Sequence, residues 1–165
     1  MIFGDPAAFA VSIEPVDSWS NQSFHNGLMF CLAGNELLSQ KVMYSTIDVD
    51  IGRWAECIEH IERQVVKAEL EGMPCTEAFA ELYRRTFAVG YEENDYMYLA
   101  STACQRDAGE MVFLLKTADQ GERLIYGTNP KGLDAQEREM PSGQLVQCLK
   151  DIVKGWKSYV AEKSR

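Results

Sequence analysis

Two histidines in 165 residues leave little material for general acid–base chemistry, and neither sits in a pattern that such chemistry needs. His25 stands beside Asn26-Gly27 at a strand entrance, and His60 falls among Glu59, Glu62 and Arg63 on the polar side of a helical stripe. No G-x-S-x-G elbow offers a nucleophile. The stretch Gly127-Thr128-Asn129-Pro130-Lys131-Gly132 lacks the G-x-x-x-x-G-K-[ST] continuation of a phosphate cradle. The dense carboxylate run Glu92-Glu93-Asn94-Asp95 lacks the glycine and closing glutamate of a calcium loop. Five cysteines (Cys31, Cys57, Cys75, Cys104, Cys148) are scattered, odd in number and never at metal-ligand spacing, which favours reduced thiols over a disulfide framework. No apolar run approaches the roughly 20 residues of a membrane helix. Met1-Ile2-Phe3-Gly4-Asp5-Pro6 has no basic stretch followed by an apolar segment. These absences lead us to expect a cytoplasmic protein with no catalytic set, no metal, no cofactor and no membrane association.

What the chain has in excess is acid. Sixteen basic residues against twenty-five acidic ones give a net charge of −9. The imbalance is uneven: residues 1–100 carry six basic and sixteen acidic groups, residues 101–165 ten and nine. Such a body repels nucleic acid, and no basic patch precedes the last helix, so nucleic acid is not an expected partner. Acidity of this order also serves plain solubility.

The length suits one domain, residues 1–165, with apolar content of 46%. Period-2 alternation marks a strand at Phe9, Val11 and Ile13, which Pro15 ends. The polar stretch 17–23 reads as a loop carrying Trp19. Apolar runs at 25–32 and 37–45 flank Gly34-Asn35, two residues that tolerate positive φ, which predicts a hairpin. Ile51, Trp54, Ala55, Ile58, Ile61 and Val65 then follow helical spacing, with Asp48 or Asp50 as cap and Gly72-Met73-Pro74 as the stop. A second helix is expected over 76–87 with Phe79, Leu82, Tyr83 and Phe87 inward, closed by Gly90. Strands are expected at 97–103, 111–117 and 123–126, the last two joined by a turn over 118–122. Residues 127–141 read as a polar loop. A final helix from about Ser142 aligns Leu145, Leu149, Ile152, Val153, Trp156 and Val160. The fold class is therefore α+β, a mostly antiparallel sheet in order βββ-αα-βββ-α with helices packed on one face.

With catalysis set aside, a recognition surface remains. Tyr91, Glu92, Glu93, Asp95, Tyr96 and Tyr98 interleave carboxylates with tyrosines, the residue type favoured at interface hot spots. Asp119 and Glu122 on the turn extend the acidic set. Glu92, Glu93, Asp95, Tyr96, Asp119 and Glu122 are the candidate partner-binding residues; ordinary solvated acids around half-buried tyrosines would look the same.

Ile2, Gly4, Asp5, Pro6, Phe9 and Ala10, followed by Trp19 and Asn26-Gly27, resemble the immunity protein 42 family of bacterial polymorphic-toxin and contact-dependent growth-inhibition systems. The resemblance is strongest over residues 2–35. It implies a protein that binds and neutralises a cognate toxin domain, often a nuclease, inside the producing cell. The Gly4-Asp5-Pro6 motif itself reads as structural: Gly4 permits a tight turn, Asp5 bonds nearby backbone N–H groups, and Pro6 fixes φ. A cytosolic adaptor or chaperone-like subunit would share the same acidic, site-poor composition. The cysteine pattern yields a first prediction: thiol titration of freshly purified, unreduced, denatured protein returns five free thiols, and three or fewer contradict it.

Overall fold

A computed structural model describes residues 1–38, 43–87 and 99–163. Five antiparallel strands open the chain: β1 (Ile2–Asp5), β2 (Phe9–Pro15), β3 (Asn26–Ala33), β4 (Glu36–Leu37) and β5 (Met43–Thr46). They run in the order β1-β2-β3-β4, and β5 pairs with the other end of β3. A 3-10 turn at Asp17–Trp19 lies between β2 and β3. Helices α1 (Ile47–Glu62), α2 (Ala68–Glu71), α3 (Cys75–Phe87) and α4 (Ala103–Asp107) follow. Strands β6 (Met111–Lys116), β7 (Gly121–Gly127) and β8 (Gln136–Pro141) make a separate antiparallel sheet, and α5 (Gln144–Lys163) ends the chain.

The expected α+β class and antiparallel pairing are present and the strand–helix–strand–helix layout roughly matches; the strands divide between two sheets instead of sharing one, and the helices divide around the second sheet instead of packing on one face. The division follows from side-chain packing. Phe9, Val11, Ile13, Met29 and Cys31 on one face of the first sheet pack with Trp54 of α1, Ile152 of α5, and Val112, Leu114 and Leu124 of the second sheet. The other face of that second sheet, Met111, Phe113, Leu115 and Ile125, buries itself against Leu70 of α2 and Phe79 and Leu82 of α3. A strand covered on both sides needs apolar residues at every position, which explains why β6 reads Met-Val-Phe-Leu-Leu without alternation.

Local signals placed the turns well. Gly34 (φ +60°) and Asn35 (φ +64°) form the two-residue connection whose flanks, Ala33 and Glu36, pair directly. Gly4 takes φ +86°, the Asp5 carboxylate accepts the Ala7 N–H at 2.9 Å, and the turn returns the chain into β2. Here the motif also supplies a strand that alternation did not reveal, because β1 is a four-residue edge strand with a largely exposed pattern.

Several boundaries differ from the sequence expectation. Leu99 makes an isolated bridge to Phe113, but the segment ends in helix α4 rather than continuing as a strand to Ala103. The cause is a capping box: Thr102 Oγ1 accepts the Gln105 N–H at 3.1 Å while Gln105 Oε1 accepts the Thr102 N–H at 2.9 Å. Residues 136–141 form β8 instead of staying in a loop, an edge strand whose charged side chains hid its apolar contact, Met140. Val65 lies beyond the end of α1 and is 66% exposed, and Phe87 at the end of α3 is exposed rather than inward. Neither aspartate caps α1, whose N-cap is Thr46. Asp50 is buried and accepts the Ser45 hydroxyl at 2.5 Å and the Ala103 and Cys104 N–H groups at 2.8 and 3.2 Å, so it caps α4 instead. Gly90 and the start of the strand expected at residue 97 lie outside the described residues.

Trp54 sits at the junction of these layers, buried, with its indole N–H donating to the Ala100 carbonyl at 3.1 Å. Trp54→Ala is expected to cost about 3–5 kcal/mol, the range for truncating a large buried aromatic. Charge changes at exposed Glu59, which pairs with Arg63 one turn on, should stay within about 0.5 kcal/mol. Denaturant unfolding checks both; an unchanged midpoint for Trp54→Ala would contradict the packing described.

Candidate partner-binding surfaces

Of the six residues singled out from sequence, Glu92, Glu93, Asp95 and Tyr96 lie outside the described residues. Asp119 and Glu122 sit close together on the β6–β7 hairpin, yet their environments are opposite. Asp119 is exposed at the turn, where it accepts hydrogen bonds from the Thr117 hydroxyl and the Gly121 N–H. Those two donors hold its carboxyl below the ordinary aspartate value. Its neighbour Gln120 adopts φ +67°, closing the hairpin.

Glu122 is only 2% exposed. It stands opposite Met140, and its Oε1 accepts the Gly143 N–H at 2.8 Å just ahead of α5. Burial raises its pKa, against the opposing pull of the Gly143 and Leu145 N–H groups and of Lys116. The side chain is committed to the entry of the last helix, so the structure does not present it on a surface as sequence reasoning expected. Periodicity on β7 carried the signal: Glu122 shares its face with Leu124 and Tyr126, which belong to the core.

Around this hairpin runs a groove of ≈ 550 Å³ lined by Glu71, Asp119, Arg123, Glu137, Glu139 and Pro141, among others. Most of its charges already have partners inside the fold. Glu71 Oε1 accepts the Ala118 N–H at 2.8 Å. Arg123 donates to the carbonyls of Leu70, Glu71 and Met73, which end α2, and pairs with Glu137. The groove is acidic, but its acids chiefly fasten α2 and the hairpin to the sheet.

The opposite end of α5 shows a different chemistry. His25 donates its backbone N–H to Asp48 Oδ2 at 2.6 Å, and its ring Nδ1 stands 3.0 Å from the same oxygen. Trp156 Nε1 donates to Asp48 Oδ1 at 2.8 Å, and the His25 ring meets the Trp156 ring edge-on at 5.4 Å. Burial would raise Asp48; the His25 and Trp156 donors outweigh it and bring its pKa below the ordinary value. His25 is thereby held between β3 and α5, with no nucleophile among its described partners. His60 is exposed on α1.

All five cysteines are free, and burial pushes every thiol upward, to about 12 for Cys104 and Cys148. Thiols so raised are poor nucleophiles and poor metal ligands at neutral pH. Among the described residues no group of three or more His, Cys, Asp or Glu side chains is placed to hold a metal ion, and no helix is long and apolar enough to cross a membrane.

The sequence profile of immunity protein 42 matches residues 1–155, nearly the whole chain. The chain belongs to the immunity protein 42 family. The match extends the N-terminal resemblance through both sheets and most of α5. A solved structure, that of CdiI from Burkholderia dolosa AUO158, superposes with a TM-score of 0.83 at 29% sequence identity, covering 94% of this chain and 99% of that one. No curated protein sequence matches. Family membership fits a fold whose described polar clusters cap helices and fasten sheets.

The environment of Glu122 has a pH consequence. A carboxyl whose pKa is raised on folding contributes stability that is fully present below its unfolded value, near 4.5, and is lost as pH rises through the folded value. Glu122→Gln keeps an oxygen for the Gly143 N–H and removes the titration. Its stability relative to the parent should therefore improve from pH 4 to pH 7, as measured by denaturant midpoints; a parallel pair of pH profiles would contradict the assignment.

Proposed function

We propose that this member of the immunity protein 42 family binds and neutralises a cognate toxin domain with a cationic surface, of nuclease type, in the cytosol of the cell that makes both. The observation that carries the proposal is the family match over residues 1–155, joined by the likeness to CdiI along nearly its whole length. Growth-inhibition immunity is a binding function, and it needs neither catalytic residues nor a cofactor.

The net charge of −9 supports the choice of partner. A nuclease presents basic groups to its polyanionic substrate, so an acidic protein is drawn toward the same surface. In this proposal the acids act together through their summed charge as a field that accelerates encounter. Asp119 contributes to it, as do Glu92, Glu93 and Asp95 beside Tyr96. Glu122 is left out of the contact because it is buried.

Co-expression with the toxin domain encoded beside this gene is the test of function. Cells should grow when the chain is present and arrest when it is absent; arrest in both cases would reject the proposal. Steering makes a separate demand. Association should slow markedly between about 50 and 500 mM salt, while dissociation changes little, because exposed charges act chiefly through the on-rate. Association insensitive to salt would remove the electrostatic part of the proposal.

A further inference from the structure

Among the described residues, the core cluster draws on one face of the first sheet. On the outer face, Glu14 of β2 stands opposite Leu28 of β3, and Leu28 opposite Tyr44 of β5, so the three side chains form a row across three strands. Glu14 and Tyr44 are exposed and Leu28 is half-buried. Trp19, from the 3-10 turn, packs its ring 5.2 Å from that of Tyr44, at 34° between planes. The two large rings remain 44% and 59% exposed. Exposed large apolar side chains scattered singly are ordinary; two large aromatic rings in contact with each other and both substantially exposed are not.

The turn that carries Trp19 is firmly built. Its carbonyl accepts the Asn26 side-chain amide at 2.7 Å, Ser20 Oγ accepts the Asn26 N–H at 3.0 Å, and Ser20 Oγ donates to the Val16 carbonyl at 3.0 Å. An anchor whose backbone is fixed by its own turn loses less freedom when a partner covers it, which favours a strong anchor.

We infer that the outer face of the first sheet, anchored on Trp19 and Tyr44 and carrying Glu14 two strands across from Tyr44, is the docking surface for the toxin domain, which seats an arginine-bearing patch there. The inference rests on the proposed immunity function. Its chemistry suits guanidinium groups, which stack on aromatic rings and pair with carboxylates. A second copy of the chain would bring a further −9 charge against the same acidic body and offers no such complement. The acidic groove at the other end of α5 then acts only through the overall field, its described carboxylates being largely engaged within the fold.

Dissociation kinetics of the purified co-encoded toxin domain from Trp19→Ala, Tyr44→Ala and Glu14→Lys test this, with Asp119→Lys/Glu139→Lys as the groove comparison. Trp19→Ala and Tyr44→Ala should each speed dissociation on the order of 30-fold or more, the scale of an interface hot spot, at an unchanged melting temperature. Trp19→Phe, which keeps a ring, should recover most of the lost affinity even if Trp19→Ala folds poorly. The groove pair should slow association and leave dissociation alone. Tight binding that all three sheet-face variants retain would overturn the docking surface while leaving the immunity function standing. A parent dimer in sedimentation that Tyr44→Ala disperses would overturn it too, by giving the face to a second copy. Failure of the parent chain to bind the toxin at all would instead reject the function on which the inference rests.

Discussion

The second sheet must be covered on both of its faces, and the arrangement of the rest of the molecule follows from that requirement. Val112, Leu114 and Leu124 look toward the first sheet, α1 and α5, while Phe113, Leu115 and Ile125 look toward α2 and α3. Helices therefore cannot all lie on one side of a continuous sheet; they divide around this central layer. Asp50 ties the layers together, because one carboxylate at the start of α1 receives a hydroxyl from β5 and two N–H groups from the entry of α4. A buried carboxylate with partners on every side is stable where one with a lost partner is costly, so the joint is specific as well as tight.

The same arrangement decides which surface is left for recognition. One face of the second sheet is sealed by α2 and α3 and the other by the core. The inner face of the first sheet meets α1 and α5, with Phe3 of β1 packed so closely on α5 that a Cβ at Gly155 would press on its ring. Among the described residues no helix packs on the outer face of the first sheet, and there Trp19 and Tyr44 stand together. Acid is spread widely over the chain; paired exposed aromatics are local, and specificity in protein binding belongs to such anchors more than to net charge.

Much of this was legible in the sequence where the signal was local. Gly34-Asn35 announced its hairpin through backbone permissiveness, and the stripe through Trp54 and Ile61 announced α1 through periodicity. Signals that depend on tertiary context were not. The acids of β8 concealed a strand because an edge strand keeps its charges in solvent, and the Thr102–Gln105 box redirected a segment whose apolar character read as extended. Glu122 looked like a turn acid by position, whereas strand alternation from Leu124 places it inward, against the start of α5. Trp19 stood out as a lone aromatic in a polar loop, but only the register of β3 with β5 brings Tyr44 beside it. The acidic segment at residues 92–96 lies outside the described residues.

Hydroxyl-radical footprinting of the chain with and without its co-encoded toxin domain reads the central claim without altering a residue. Trp19 and Tyr44 are the exposed reactive rings of the proposed contact, and Asp119 lies outside it, on the β6–β7 turn. Toxin should shield Trp19 and Tyr44 several-fold while side chains around the β6–β7 turn keep their reactivity. Unchanged oxidation of both rings in a saturated complex would contradict that claim.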